Sequence, residues 1–251
     1  MSTTEPPVLV DIDGSIATIT LNRPSALNAI TVEMFDDLGD ALTSLHGRQD
    51  IAVVVLTGAG RAFSAGVDLK ALGGRTLVGG AVGDLLDLPG RRVIELIESL
   101  DAIVIAKVNG FCFTGALELA LACDLIVTAD EAILGDTHTN WGLRPSWGMS
   151  QRLPALAGPA TARLLSYRAA TFTGAQAREY GIAALSSPRA DLDATVQVLA
   201  NDIAANSHGA LMAYKDLYRA AERLSLPEGL NYESTHDYPI DDTEARIAQF
   251  R

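Results

Sequence analysis
Apolar and polar residues alternate along VLVDIDGSIATITL (8–21) on both sides of Asp13-Gly14, which predicts a β-hairpin closed by that pair. NRPSALNA (22–29) breaks the alternation with Asn, Pro and Ser and reads as loop. The period then changes. Met34, Phe35, Leu38, Ala41, Leu42 and Leu45 recur at helical spacing, so a helix capped by Thr31 is expected to run to about His46. IAVVVLTG (51–58), AIVIAKVNG (102–110) and LIVTAD (125–130) are apolar on successive positions, the pattern of strands covered on both faces. Helices are expected over about 85–100 and 114–124. Buried strand, helix and buried strand in turn imply right-handed crossovers and a parallel sheet. LGGRTLVGGAVGD (72–84) reads as a glycine-rich loop.

Beyond about Pro145 no strong strand signal remains, and helices are expected near 148–157, 159–168, 174–180, 192–206 and 208–224. Residues 1–195 read as an α/β core and 196–251 as a helical C-terminal region. A terminal helix pair that cannot bury both its faces suggests contacts between copies of the chain.

Composition narrows the function classes. The chain has 251 residues, 48% hydrophobic and 20% charged, enough for a full core. A net charge of −12 argues against nucleic acid and against an anionic membrane surface, yet leaves room for an anionic small ligand held by local dipoles. The longest apolar runs fall far short of the roughly 20 residues that span a bilayer, and MSTTEPPVLVDIDG lacks the parts of a signal peptide. Cys112 and Cys123 sit in apolar surroundings and suit a reducing, cytoplasmic setting as small buried residues.

Two strand-to-helix junctions carry the chemistry. GRAFSAGVDL (60–69) follows one core strand, with Ser64, Ala65, Gly66 and Val67 leading to a helix expected near Asp68. TGALELALACD (114–124) follows the next, with Gly115 opening the helix. First-turn N–H groups lack intrahelical acceptors and sit at the positive end of the helix dipole. If the two strands are neighbours, the N–H groups of Val67 and Gly115 converge on one oxygen and make an oxyanion hole. Glu118 lies one turn beyond Gly115 and points near the same spot. Desolvation in GALELALA favours a protonated carboxyl, as a general acid/base working near neutrality requires; pairing with a basic neighbour is the other reading.

NRPSALNA, VVLTGAGRAFSAGVDLKAL, AKVNGFCFTGALELALACDL and WGLRPSWGMSQRLPALAG together resemble the crotonase superfamily, the enoyl-CoA hydratase/isomerase family, in order from about residue 8 to 186. The resemblance implies an α/β, crotonase-like spiral of repeated β-β-α units with a C-terminal helical trimerisation region, assembled as a homotrimer or a dimer of trimers. It implies an acyl-CoA thioester substrate, with coenzyme A part of that substrate and no separate cofactor or metal. Val67 and Gly115 would supply the oxyanion-hole N–H groups, and Glu118 matches the first catalytic glutamate. Ser25, Ala26 and Leu27 would line the CoA site, while Ala65, Gly66, Asp68 and Leu69 would border adenine and pantetheine. Trp141 and Trp147 would pack near the acyl group, 72–84 would shape the acyl pocket, and Lys215 and Tyr218 would reach a neighbouring subunit's CoA.

The second glutamate of the hydratases is missing. In GDTHTNWG (135–142) its place, four residues before Gly142, holds His138. An imidazole can hold water or shuttle a proton; alternatively the site has lost hydratase activity. Asp136 and Asn140 are nearby polar candidates, Asp136 also as a turn cap. The leading expectation is hydration of a 2-enoyl-CoA to a 3-hydroxyacyl-CoA, in fatty acid metabolism, by Glu118 with His138 as partner. The alternatives are decarboxylation of a branched malonyl-type CoA or enoyl-CoA isomerisation, and a non-catalytic acyl-CoA binding protein.

Overall fold
The computed structural model describes residues 5–70 and 78–249. The hairpin forms from β1 (Val8–Asp13) and β2 (Ile16–Leu21), with Asp13 paired to Ile16. The two-residue turn is therefore Gly14-Ser15, one position later than the sequence suggested, because Gly14 supplies the positive φ of 59°. Helix α1 (Val32–Leu45) starts at Thr31, whose side chain accepts from the Met34 N–H. Its buried face is the one the spacing marks, Met34, Phe35, Leu38, Leu42 and Leu45 among it. Burial of each such side chain stabilises the fold by about 1.5–3 kcal/mol relative to exposure.

Three successive units then repeat a long strand, a short strand and a helix. The long strands are β3 (Val53–Gly58), β5 (Ile103–Val108) and β7 (Leu125–Ala129); the short ones are β4 (Ala62–Ser64), β6 (Phe111–Phe113) and β8 (Ile133–Gly135). The helices are α2 (Asp84–Ser99), α3 (Gly115–Ala122) and α4 (Met149–Tyr167). Within α4, Gly158 at φ 74° breaks the helix between the two segments expected at 148–157 and 159–168.

The chain continues through β9 (Thr171–Thr173), α5 (Gly174–Glu179), β10 (Leu185–Ser187), α6 (Leu192–Ala204), α7 (His208–Ala221), α8 (Leu226–Thr235) and α9 (Thr243–Ala248). One sheet has the order β1-β2-β3-β5-β7-β10 and the second β4-β6-β8-β9. In the first sheet every pair except β1–β2 is parallel, the parallel core that the apolar runs predict. The strands β9 and β10 fall where no strand was expected, since three residues are too few to show an alternation. Helices α8 and α9 also extend past the last expected helix. The boundary at 195/196 falls inside α6, which buries Leu192, Val196 and Ala200 and packs across β2, β3, β5 and β7.

The short strands set the site. In the second sheet, β4 pairs with β6 and β6 with β8, all parallel. The segments that leave their C-terminal ends, 65–67, 114–118 and 136–138, therefore emerge side by side. Ligands in open α/β sheets bind at such strand ends.

Candidate active site
The first exit is stitched to the 22–30 loop. Asn28 is fully buried; its side chain accepts from the Arg23 N–H and donates to the carbonyls of Ala59 and Ala62. The Ala65 N–H donates to Leu27 O, Gly66 N–H to Ser64 Oγ, and Asp68 N–H to Ile30 O. Ile30 N–H in turn donates to Gly66 O, which makes a parallel bridge between Ile30 and Val67. In a parallel bridge the neighbours of the bridged residue bond to the partner, and its own N–H and C=O face the other way. The Val67 N–H thus points away from the 22–30 loop, toward the exit of β6. Among the described residues it donates to no protein acceptor.

The helix expected near Asp68 is absent from 68–70, which form a turn, and its continuation lies outside the described residues. The free N–H of Val67 comes from bridge geometry and not from a helix start.

At the second exit Thr114 takes φ 55° and ψ −114°, a conformation that costs a non-glycine residue on the order of 1–3 kcal/mol. Its N–H donates to Gly135 O and its hydroxyl meets Thr137 Oγ1 at 2.7 Å. Gly115 then begins α3 with an N–H that has no intrahelical acceptor. The exits touch: a Cβ on Gly66, whose φ is 88°, would stand 2.8 Å from Phe113 O and 3.7 Å from the Gly115 nitrogen. Gly115 is itself covered by Trp147, whose ring would lie 2.4 Å from an added Cβ.

Glu118 is buried on α3. Its Oε1 accepts from the main-chain N–H groups of Trp147 at 2.9 Å and Met149 at 3.0 Å. Those two donors are made available by the turn at Gly148, where φ is 117°. The purely apolar setting that GALELALA suggests is thus only half the environment, because the fold brings two amides that are distant in sequence.

The other oxygen, Oε2, lies 3.5 Å from Nε2 of buried His138. His138 Nδ1 meets Asp136 Oδ1 at 2.7 Å. Burial alone would depress the imidazole; hydrogen bonds and charge from Asp136 and Glu118 outweigh it and raise its pKa to about 9. Burial pushes the Asp136 carboxyl up, but His138 and Ser166 hold it below its ordinary value.

Val67, Gly115, Glu118, His138 and Trp147 line a cavity of about 300 Å³, at the lower end of small-molecule sites. Of the residues expected at the site, Ala65, Val67, Leu69, Gly115, Glu118, His138 and Trp141 line it. Gly66 supports it from behind. Asp68 pairs with Arg23 at 3.2 Å, while exposed Ser25 and half-buried Ala26 and Leu27 lie on a 3-10 turn and its cap and are not among the lining residues. The glycine-rich 72–84 stretch lies outside the described residues up to residue 77, and Val82 from its end lines the cavity.

Lys215 does not reach outward. Its ammonium is buried against Asp124 at 2.8 Å and Ala102 O at 2.7 Å, and burial lowers its pKa. Tyr218, one turn on, is 66% exposed. Cys112 and Cys123 are free, and burial pushes both thiols up. Among the described residues no cluster of metal-ligating side chains occurs and no helix is long and apolar enough to cross a membrane.

Sequence reasoning missed the Trp147 and Met149 amides, for which the glycine of PSWGMS was the available signal, and the strained Thr114, for which there was none.

Residues 11–247 match the family model for enoyl-CoA hydratase/isomerase. The chain is 34% identical over 220 residues to the Arabidopsis thaliana protein named probable enoyl-CoA hydratase 1, peroxisomal, covering 88% of this chain and 81% of that one. The solved enoyl-CoA hydratase of Bacillus anthracis superposes with a TM-score of 0.86 at 33% identity, covering 91% and 88% of the two chains. A Thermobifida fusca protein solved in complex with acetoacetyl-CoA superposes with a TM-score of 0.82 at 28% identity, covering 97% and 96%. With its β-β-α spiral and both central motifs in the matched span, the chain belongs to the enoyl-CoA hydratase/isomerase family, the crotonase superfamily.

Proposed function
We propose that this protein hydrates a 2-enoyl-CoA thioester to the 3-hydroxyacyl-CoA. The observation that carries the reading is the convergence of three strand exits on one cavity, with Glu118 and His138 face to face and the Val67 and Gly115 N–H groups without acceptors among the described residues. The thioester oxygen sits between those two N–H groups, which stabilise the charge that develops on it. Glu118 Oε2 takes a proton from water as the water oxygen bonds to C3. The C2=C3 electrons move into the enolate, and C2 then takes the proton on His138 Nε2. Transfer of the proton from Glu118 to His138 across 3.5 Å restores both groups. The scheme needs no cofactor beyond the coenzyme A of the substrate. Crotonyl-CoA hydration, followed by loss of the enone absorbance, tests it: the wild type turns over, and Glu118→Gln does so far more slowly.

Double-bond isomerisation, or decarboxylation of a malonyl-type CoA, is the second reading. The imidazole in place of a second carboxylate favours it, because both reactions use the same enolate with one proton donor. Methylmalonyl-CoA and a 3-enoyl-CoA, assayed beside crotonyl-CoA, separate these reactions.

The surface supports assembly as a homotrimer or dimer of trimers. Helix α8 buries none of its residues and exposes Leu226 and Leu230, and Tyr214 and Tyr218 stand exposed on α7. Free Cys112 and Cys123 accord with the cytoplasm.

A further inference from the structure
Asp136 is a buried carboxylate that the hydration scheme leaves without a task. Its Oδ1 meets two donors on the same residue, the His138 main-chain N–H at 3.3 Å and the ring nitrogen Nδ1 at 2.7 Å. The first contact is a turn cap of the kind Asp makes in many loops. The second is not needed by the turn. It holds the ring with Nε2 toward Glu118 Oε2. His138 therefore has a carboxylate on each side, Glu118 from α3 and Asp136 from its own segment. Among the described residues no other cation lies within ion-pair distance of either. With Glu118 and Asp136 both ionised, a neutral ring with its proton on Nδ1 would turn a lone pair toward Glu118, acceptor against acceptor. In that state the arrangement closes only when both ring nitrogens carry protons.

We infer that Asp136 is a positioning residue, whose carboxylate fixes the Nδ1 proton and the ring orientation of His138 and so presents Nε2–H to Glu118 and the substrate carbon. This rests on the hydration reading for its use in turnover, but the state of the ring is measurable without substrate. The imidazolium also divides the labour: His138 is the acid that delivers the proton to C2, and Glu118 is the base that receives the proton of water. Orientation of a histidine by a buried carboxylate is a general device for fixing its tautomer.

The substitution that separates positioning from capping is Asp136→Asn. It keeps an oxygen acceptor for the His138 N–H and removes the charge. The full-length protein is titrated by NMR of its histidine rings, with His138→Gln to assign the His138 signal, and kcat/KM for crotonyl-CoA is recorded against pH. The inference expects both ring nitrogens of wild-type His138 to be protonated at pH 7.5. In Asp136→Asn the ring midpoint and the alkaline limb of kcat/KM both move down by about one pH unit or more, toward the ordinary imidazole range, while KM changes less than about twofold and activity recovers below the shifted limb. A neutral wild-type ring at pH 7.5 overturns the inference even if the Asn variant fails to fold. An unmoved midpoint in a folded Asp136→Asn overturns it too, leaving Asp136 as a cap. If instead His138→Gln hydrates crotonyl-CoA at the wild-type rate, the assignment of His138 to hydration fails, while the ring titration still decides what Asp136 does.

Discussion

His138 Nε2 and Glu118 Oε2 stand 3.5 Å apart inside the cavity, each held from behind by a group the other does not touch. Glu118 is anchored through its other oxygen by the Trp147 and Met149 amides, and His138 through its other nitrogen by Asp136. Neither side chain can swing without losing those bonds. The carboxyl and the imidazole are therefore set by main chain on one side and by a carboxylate on the other, 3.5 Å apart.

Glu118→Gln retains an oxygen for the two amides and removes the basic oxygen facing His138. The expected result is a loss of about 10²–10⁴ in kcat with crotonyl-CoA and an unfolding midpoint close to that of the wild type. Glu118→Ala leaves two buried N–H groups without acceptors and destabilises the fold by about 1–3 kcal/mol. Denaturant unfolding of the two variants side by side checks the difference.

The ionisation of His138 ties stability to pH. Its pKa is raised in the fold to about 9, above the value near 6.5 that the unfolded chain has. The folded state binds the proton more tightly, so the stabilisation is fully present below about pH 6.5 and is lost as pH rises through 9. Unfolding free energy should decline across that window in the wild type and decline less in His138→Gln. Equal slopes in the two proteins would contradict the pairing with Asp136 and Glu118.

Gly66→Ala tests the geometry of the first exit. The new methyl group would meet Phe113 O at 2.8 Å on a residue whose φ is 88°, a conformation that costs a side-chain-bearing residue about 1–2 kcal/mol. The Val67 N–H must move with it. Stability should fall by at least that amount, and kcat should fall by about 10²-fold, as when one oxyanion donor is lost. A variant that unfolds earlier but keeps full turnover would show that Val67 is not such a donor.

Lys215→Met removes the buried cation from Asp124, a carboxylate that also accepts from the Val104 N–H. Asp124 itself stands exposed, so the loss is that of the buried ammonium's own bonds to Asp124 and Ala102 O, about 1–3 kcal/mol. The expected variant is markedly less stable, with an unchanged KM for crotonyl-CoA in its folded fraction. A raised KM would return Lys215 to the contact with a neighbouring subunit's CoA that the family resemblance implies.

The parts of this molecule legible in the sequence are those fixed by local pattern. Thr31 and the helical spacing after it mark α1, and the unbroken apolar runs mark β3, β5 and β7. The two small-residue junctions and Glu118 were visible because backbone exposure and a lone carboxylate in an apolar helix are unusual locally. The three-residue strands β4, β6 and β8, which bring the junctions together, show no period of their own. The resemblance aimed Lys215 at a neighbouring subunit's CoA, since nothing in its helix announces that α7 packs beside β5 near Asp124. The pairing of Asp136 with the His138 ring depends on a turn geometry that Asp-Thr-His does not specify by itself.

The account stands on the Val67 and Gly115 amides sharing one oxygen, and a crystal structure with 3-hydroxybutyryl-CoA bound measures that directly. The account predicts the thioester oxygen at about 2.7–3.1 Å from both nitrogens, with C3 and its hydroxyl beside Glu118 and His138. A thioester seated in the cavity with its oxygen bonded to neither amide would contradict it.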